Sequence, residues 1–125
     1  MLSATERLVA ILKSSDVKRT AEWYTRAGFD VRGSHPEEVP TWCEVAQGGT
    51  VFQFLAGETP WEGEPSLTGC LYVPTDNVDA VYDEIRDQVN CEWGIEEREW
   101  GARELVLRDP DGYFITFTQS DSGTQ

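Results

Sequence analysis

The same short plan runs twice through the sequence, and a chain built from a repeated unit has far fewer folds open to it than one without a repeat. The clearest sign is a pair of matching segments. Gly49-Thr50-Val51-Phe52-Gln53-Phe54 and Gly112-Tyr113-Phe114-Ile115-Thr116-Phe117 each set a turn glycine before a strand of alternating apolar residues. Upstream of the first segment, Arg7 to Lys13 reads as a strand, and Ser14, Ser15 and Asp16 are all candidate helix N-caps. Val17, Ala21 and Tyr24 fall on one helical face between Val17 and Arg26, with Gly28 placed to end the helix. Strands follow at Phe29–Arg32, Thr41–Ala46 and Thr50–Leu55, the last two joined at Gly48-Gly49.

The second half keeps this order. Thr68–Val73 reads as a strand, and Thr75 or Asp76 caps a helix carrying Val78, Val81, Tyr82, Ile85 and Val89 on one face. Cys91–Ile95, Arg103–Leu107 and Tyr113–Thr118 supply three more strands. The expected fold is therefore α+β, one domain over residues 1–125, made of two βαβββ modules at residues 1–56 and 66–119 with a linker at 57–65. One helix is too little to cover a four-stranded sheet, so the modules are expected to join edge to edge, with curved mixed sheets around a shared cleft.

Charge and cysteine content narrow the function. Twenty-three acidic against ten basic residues give a net charge of −13, a field that repels nucleic acid and attracts cations. Cys43, Cys70 and Cys91 are an odd set without close spacing, so reduced thiols are expected rather than disulfides or a zinc cluster. The longest apolar run, Leu8 to Leu12, is five residues, which predicts no membrane span. With no basic and apolar leader at the amino terminus, the expected location is the cytoplasm.

Two further segments support a family resemblance. Trp100-Gly101-Ala102-Arg103-Glu104-Leu105 leads into Arg108-Asp109-Pro110-Asp111-Gly112-Tyr113, a strand, an Asp-Pro-x-Gly turn and a closing strand. Asp16-Val17 through Glu22-Trp23-Tyr24, then Gly28-Phe29, forms a first-helix pattern. In these features nearly the whole chain resembles the vicinal oxygen chelate superfamily of glyoxalases, extradiol dioxygenases, fosfomycin-resistance transferases and bleomycin-resistance proteins. The resemblance implies a homodimer and, in the metal-dependent members, one ligand from each of four strands, usually His or Glu. Matching places Ala10, Gln53, Cys70 and Thr116 at those positions. Ala10 has no donor and Thr116 only a weak one, so no metal or other cofactor is expected. His35, the single histidine, falls in a proposed loop.

Strand alternation then predicts the cleft lining as Leu8, Ala10, Leu12, Val51, Gln53, Leu55, Cys70, Tyr72, Phe114, Thr116 and Thr118, with Trp42 and Glu44 turned inward from the third strand. Phe52, Phe54, Ile115 and Phe117 are expected beneath the helices. Trp61 in the linker and Trp100 before the seventh strand are placed to cover the mouth, and for Trp42, Trp61 and Trp100 ligand contact and plain packing both stay open. Trp93 is equally open between core and cleft, and Arg103 is read as an ion-pair partner. The candidate ligand-binding set is Ala10, Trp42, Glu44, Gln53, Trp61, Cys70, Tyr72, Trp100, Phe114 and Thr116, with no catalytic residue assigned. An aromatic, acidic lining suits a cationic aromatic antibiotic or metabolite. The alternative is a glyoxalase-type lyase or isomerase with an atypical metal set or a metal-free mechanism.

Overall fold

A computed structural model describes residues 8–120, in two compact units divided between Pro65 and Ser66. Arg7, at the start of the first expected strand, lies outside the described residues.

In the first unit, β1 (Ala10–Lys13) leads into α1 (Val17–Arg26), followed by β2 (Asp30–His35), β3 (Trp42–Gln47) and β4 (Thr50–Leu55). β1 ends because Ser14 turns the chain. Its N–H donates to the Leu55 carbonyl at 2.9 Å, while its hydroxyl accepts from the Asp16 N–H and lies 2.8 Å from Thr20 Oγ1. Of the three candidate caps, Asp16 is the one used, accepting from the Arg19 N–H at 3.1 Å. At the other end, Gly28 takes a positive φ of 95° while the Phe29 N–H returns to the Tyr24 carbonyl.

The sheet order is β1-β4-β3-β2, with β1 parallel to β4 and the other pairs antiparallel. α1 buries Val17, Thr20, Trp23 and Tyr24. Tyr24 is fully enclosed, with ring centroids 4.9 Å from Phe54, 5.3 Å from Phe29 and 4.8 Å from Trp23. β2 runs longer than the sequence pattern suggested, through a bulge between Val31 and Gly33.

The second unit repeats the plan: β5 (Cys70–Pro74), α2 (Val78–Ile85), β6 (Glu96–Glu97), β7 (Ala102–Arg108) and β8 (Phe114–Ser120), in sheet order β5-β8-β7-β6. Even the first turn recurs, since the Thr75 N–H donates to the Thr118 carbonyl at 2.9 Å as Ser14 does to Leu55. The cap is Asn77, accepting from the Ala80 N–H at 3.0 Å, and not Thr75 or Asp76; it occupies the place of Asp16, three residues after the strand.

The expected strand at Cys91–Ile95 is reduced to one bridge between Cys91 and Leu107, and the paired segment comes later at Glu96–Glu97. Gly94 interrupts the intervening stretch, where it offers the sheet no side chain. The Asp109 to Gly112 turn forms as its residues dictate. The Asp109 carboxylate accepts from the Asp111 and Tyr113 N–H groups at 2.9 Å, and Gly112 has a φ of 89°.

Phe52, Phe54, Ile115 and Phe117 are all buried. Phe54, with no exposed surface and Tyr24 against its ring, has no room to be replaced without leaving a void. Phe54→Ala is expected to lower unfolding stability by about 3–5 kcal/mol, measured by urea denaturation.

Candidate functional site

Which side of each sheet faces away from its helix is fixed by register, since side chains alternate and a one-residue slip reverses every one of them. In the first unit Cys43 pairs with Phe54 and Val45 with Phe52, so these residues face the core. Trp42, Glu44, Gln53 and Leu55 take the opposite face. On β1, Ala10 pairs with Phe52 and Leu12 with Phe54, whereas Ile11 pairs with Gln53. The expected cleft positions on β1 are therefore corrected by one residue. Ala10 and Leu12 lie on the helix side, and Ile11 occupies the face with Gln53. Leu8 precedes the strand and is exposed.

Three side chains on that first-unit face form a chain of hydrogen bonds. Trp42 Nε1–H donates to Gln53 Oε1 at 3.2 Å, and Gln53 Nε2–H donates to Glu44 Oε1 at 2.9 Å. The indole lies against the backbone of Gly33, where a Cβ would come within 3.2 Å of the ring. Both ends of the Gln53 amide are thus committed, while Glu44 Oε2 has no partner among the described residues. Trp61 is half-exposed in the linker, and its carbonyl and that of Gly63 accept from Lys13 Nζ at 3.2 and 2.6 Å.

In the second unit the corresponding face carries an open pocket of about 270 Å³, lined by Cys70, Tyr72, Trp93, Arg98, Trp100, Glu104, Val106, Phe114 and Thr116. Register explains the lining. Cys70 pairs with Phe114, Tyr72 with Thr116, Val106 with Thr116, and Glu104 with Thr118, all on one side of the sheet. Trp93 lies nearly parallel to Phe114, with a 7° interplanar angle and ring centroids 6.3 Å apart. Trp100 is exposed on the turn between β6 and β7, which Gly101 closes at a φ of 87°.

The one buried carboxylate of this pocket is fully engaged. Glu104 Oε1 accepts from Arg98 Nε–H at 3.0 Å, and Oε2 accepts from the Tyr72 hydroxyl at 2.5 Å and from Thr118 Oγ1–H at 3.1 Å. Burial pushes the Glu104 carboxyl up, but the hydrogen bonds from Tyr72, Arg98 and Thr118 and the Arg98 charge outweigh it, leaving the carboxyl below the usual range. The Tyr72 phenol, donating to that carboxylate and partly shielded from water, is pushed up to about 12. Arg98 is further held by Glu96 at 3.0 Å. This ion pair and phenol are an organised wall rather than a base awaiting a proton.

Of the residues expected from sequence, the second unit brings together Cys70, Tyr72, Trp100, Phe114 and Thr116, and the first brings together Trp42, Glu44 and Gln53. Arg98, Glu104 and Val106 were missed. The inward alternation of β7 would have placed Glu104 and Val106, but Arg98 depends on the turn geometry. Trp93 resolves onto the pocket wall, and Arg103 is an ion-pair partner, bonded to Asp79 at 2.8 and 2.9 Å and to Glu97 at 3.0 Å.

The residues do not fit a divalent metal. In the first unit Ile11 is apolar and Gln53 is bonded at both ends; in the second Thr116 is neutral and Cys70 is a lone thiol. Among the described residues no three His, Cys, Asp or Glu side chains gather as a metal-binding group. His35 is exposed on β2, at its end, rather than in a loop.

A profile of the Glyoxalase/Bleomycin resistance protein/Dioxygenase superfamily matches residues 8–117. Among solved structures, TnmS3, an antibiotic binding protein from Streptomyces sp. CB03234, is 25% identical, with a TM-score of 0.74 and coverage of 96% of this chain and 99% of that one. TioX from Micromonospora sp. ML1 is 21% identical with a TM-score of 0.73, over 92% of this chain and 98% of its own. A glyoxalase/bleomycin resistance protein/dioxygenase from Alicyclobacillus acidocaldarius is 14% identical with a TM-score of 0.74, over all of both chains. No curated protein matches the sequence.

Because Glu104 is held below its ordinary value, its contribution to stability is present above the unfolded carboxyl value and is lost as pH falls through the folded one. Glu104→Gln is expected to cost about 1–3 kcal/mol at pH 7. In urea titrations the gap between wild type and variant should narrow as the pH drops below the ordinary glutamate value of about 4.3.

Proposed function

The chain belongs to the Glyoxalase/Bleomycin resistance protein/Dioxygenase superfamily, and from that premise we propose that it is a small-molecule-binding protein, taking the flat aromatic part of an antibiotic or metabolite into the second unit's pocket without a metal. The observation that carries this reading is the pocket wall: Tyr72, Trp93, Trp100 and Phe114 surround a space whose only buried carboxylate is already neutralised. Four aromatic side chains offer stacking to a planar ligand. The volume, about 270 Å³, lies just under the roughly 300–1,000 Å³ of drug-sized sites, so it suits two or three fused rings with the rest of a larger molecule outside. The likeness to an antibiotic binding protein at 25% identity points the same way.

The net charge of −13 draws cationic ligands at long range. Within the first unit, Glu44 Oε2 has no partner among the described residues and offers a carboxylate to a cation there. In this reading the working form is a cytoplasmic homodimer.

Cys70 supplies a reporter. It is exposed and lines the pocket, whereas Cys43 is buried and its thiol is pushed up to about 11 by that burial, partly offset by a hydrogen bond from the Phe54 backbone. Proflavine or bleomycin at micromolar concentration is expected to slow maleimide labelling of Cys70 and to quench tryptophan emission. Trp100→Ala should weaken the tighter-binding of the two by about threefold to tenfold. Labelling and emission that neither compound alters would overturn the proposal. Elemental analysis of the purified protein is expected to show well under one nickel, zinc, iron or manganese per chain; a stoichiometric metal retained through dialysis would contradict the metal-free part.

A further inference from the structure

The polar chemistry of the second unit's pocket specifies one feature of its ligand. Arg98 is part of the wall, and its guanidinium has three nitrogens. Nε donates to Glu104 at 3.0 Å and Nη1 to Glu96 at 3.0 Å. Nη2 has no partner among the described residues, so both of its N–H groups remain available. The acceptors beside it are used differently. Glu104 takes three donors over its two oxygens, and the Tyr72 hydroxyl has given its proton to that carboxylate's hydrogen bond. Arg98 Nη2 is thus an uncommitted charged donor of this pocket, among lining residues that also include the Thr116 hydroxyl and the Cys70 thiol.

Resting on the binding function proposed above, we propose that Arg98 determines ligand specificity: its Nη2 hydrogen-bonds a neutral carbonyl oxygen carried on the ring system of a planar aromatic ligand. A ketone or quinone-type oxygen is favoured over a carboxylate, because Arg98 already faces Glu96 and Glu104 and the local charge stays negative. The guanidinium is held at two points and is pre-organised, so a ligand acceptor meets a fixed donor at small cost in side-chain freedom.

Fluorene and 9-fluorenone share a flat tricyclic frame and differ by one carbonyl, which makes them the probes. Equilibrium dialysis against the wild-type protein is expected to show 9-fluorenone bound about tenfold to a hundredfold more tightly than fluorene, as one hydrogen bond to a charged donor gives. In Arg98→Gln the ratio should fall toward one, with folding of the variant followed by circular dichroism. Equal affinities in the wild type overturn the assignment whether or not the variant folds, and so does a preference that persists unchanged in a folded Arg98→Gln. If neither compound binds the wild type, the aromatic pocket itself fails and this specificity with it. Glu96→Gln, which leaves Arg98 its contact to Glu104, should keep the preference for the ketone.

Discussion

A strand that lies parallel to the last strand of its own unit cannot be reached by a hairpin, and the rest of each unit follows from that. β1 pairs with β4, and β5 with β8, in parallel. The chain must cross over the sheet after β1 and β5, and a helix is how it does so. The crossover puts α1 and α2 on one side only, which is why Phe52, Phe54, Ile115 and Phe117 are buried and why the other side is left without a helix over it. The same backbone turn, from Ser14 to Leu55 and from Thr75 to Thr118, locks both crossovers in place.

Much of this was legible because the turn and cap residues act locally. Asp16, Gly28 and the Asp109 to Gly112 turn bond within a few residues of themselves, so a short window contains their causes. The position of β1 relative to β4 was not so legible. A four-residue apolar strand, Ala10–Lys13, fits either face, and only pairing across some forty residues decides that Ile11 and not Ala10 stands beside Gln53. β6 was misplaced for a related reason, since a two-residue strand has almost no periodicity to read.

The pocket was partly legible for the same reason. Tyr72, Phe114 and Thr116 follow from alternation along strands whose ends are fixed by turns. Arg98 comes from the Arg98 to Ala102 turn, where the Arg98 N–H donates to the Ala102 carbonyl at 2.7 Å and no periodic signal exists. Its role depends on a carboxylate six residues later, brought opposite by β6 and β7 pairing.

The repeat also explains how the second unit's face comes to carry a pocket with aromatic walls. Matching the two parallel pairings sets Gln53 against Thr116, Glu44 against Val106 and Trp42 against Glu104. In the first unit, Trp42, Gln53 and Glu44 bond to one another across the sheet and cover it with their own bulk. In the second, Thr116 and Val106 are short, so the sheet floor stays low and aromatic residues from β5, β8 and the segments flanking β6 stand around it. Glu104, at the place of Trp42, would be an uncompensated buried charge without Arg98, since a carboxylate removed from water demands a partner. The guanidinium that satisfies it brings more donors than one carboxylate can take, and a polar edge on an otherwise apolar pocket is the consequence. The repeat thus sets one scaffold down twice, and side-chain size at three matched positions leaves the second copy an open, aromatic-walled floor.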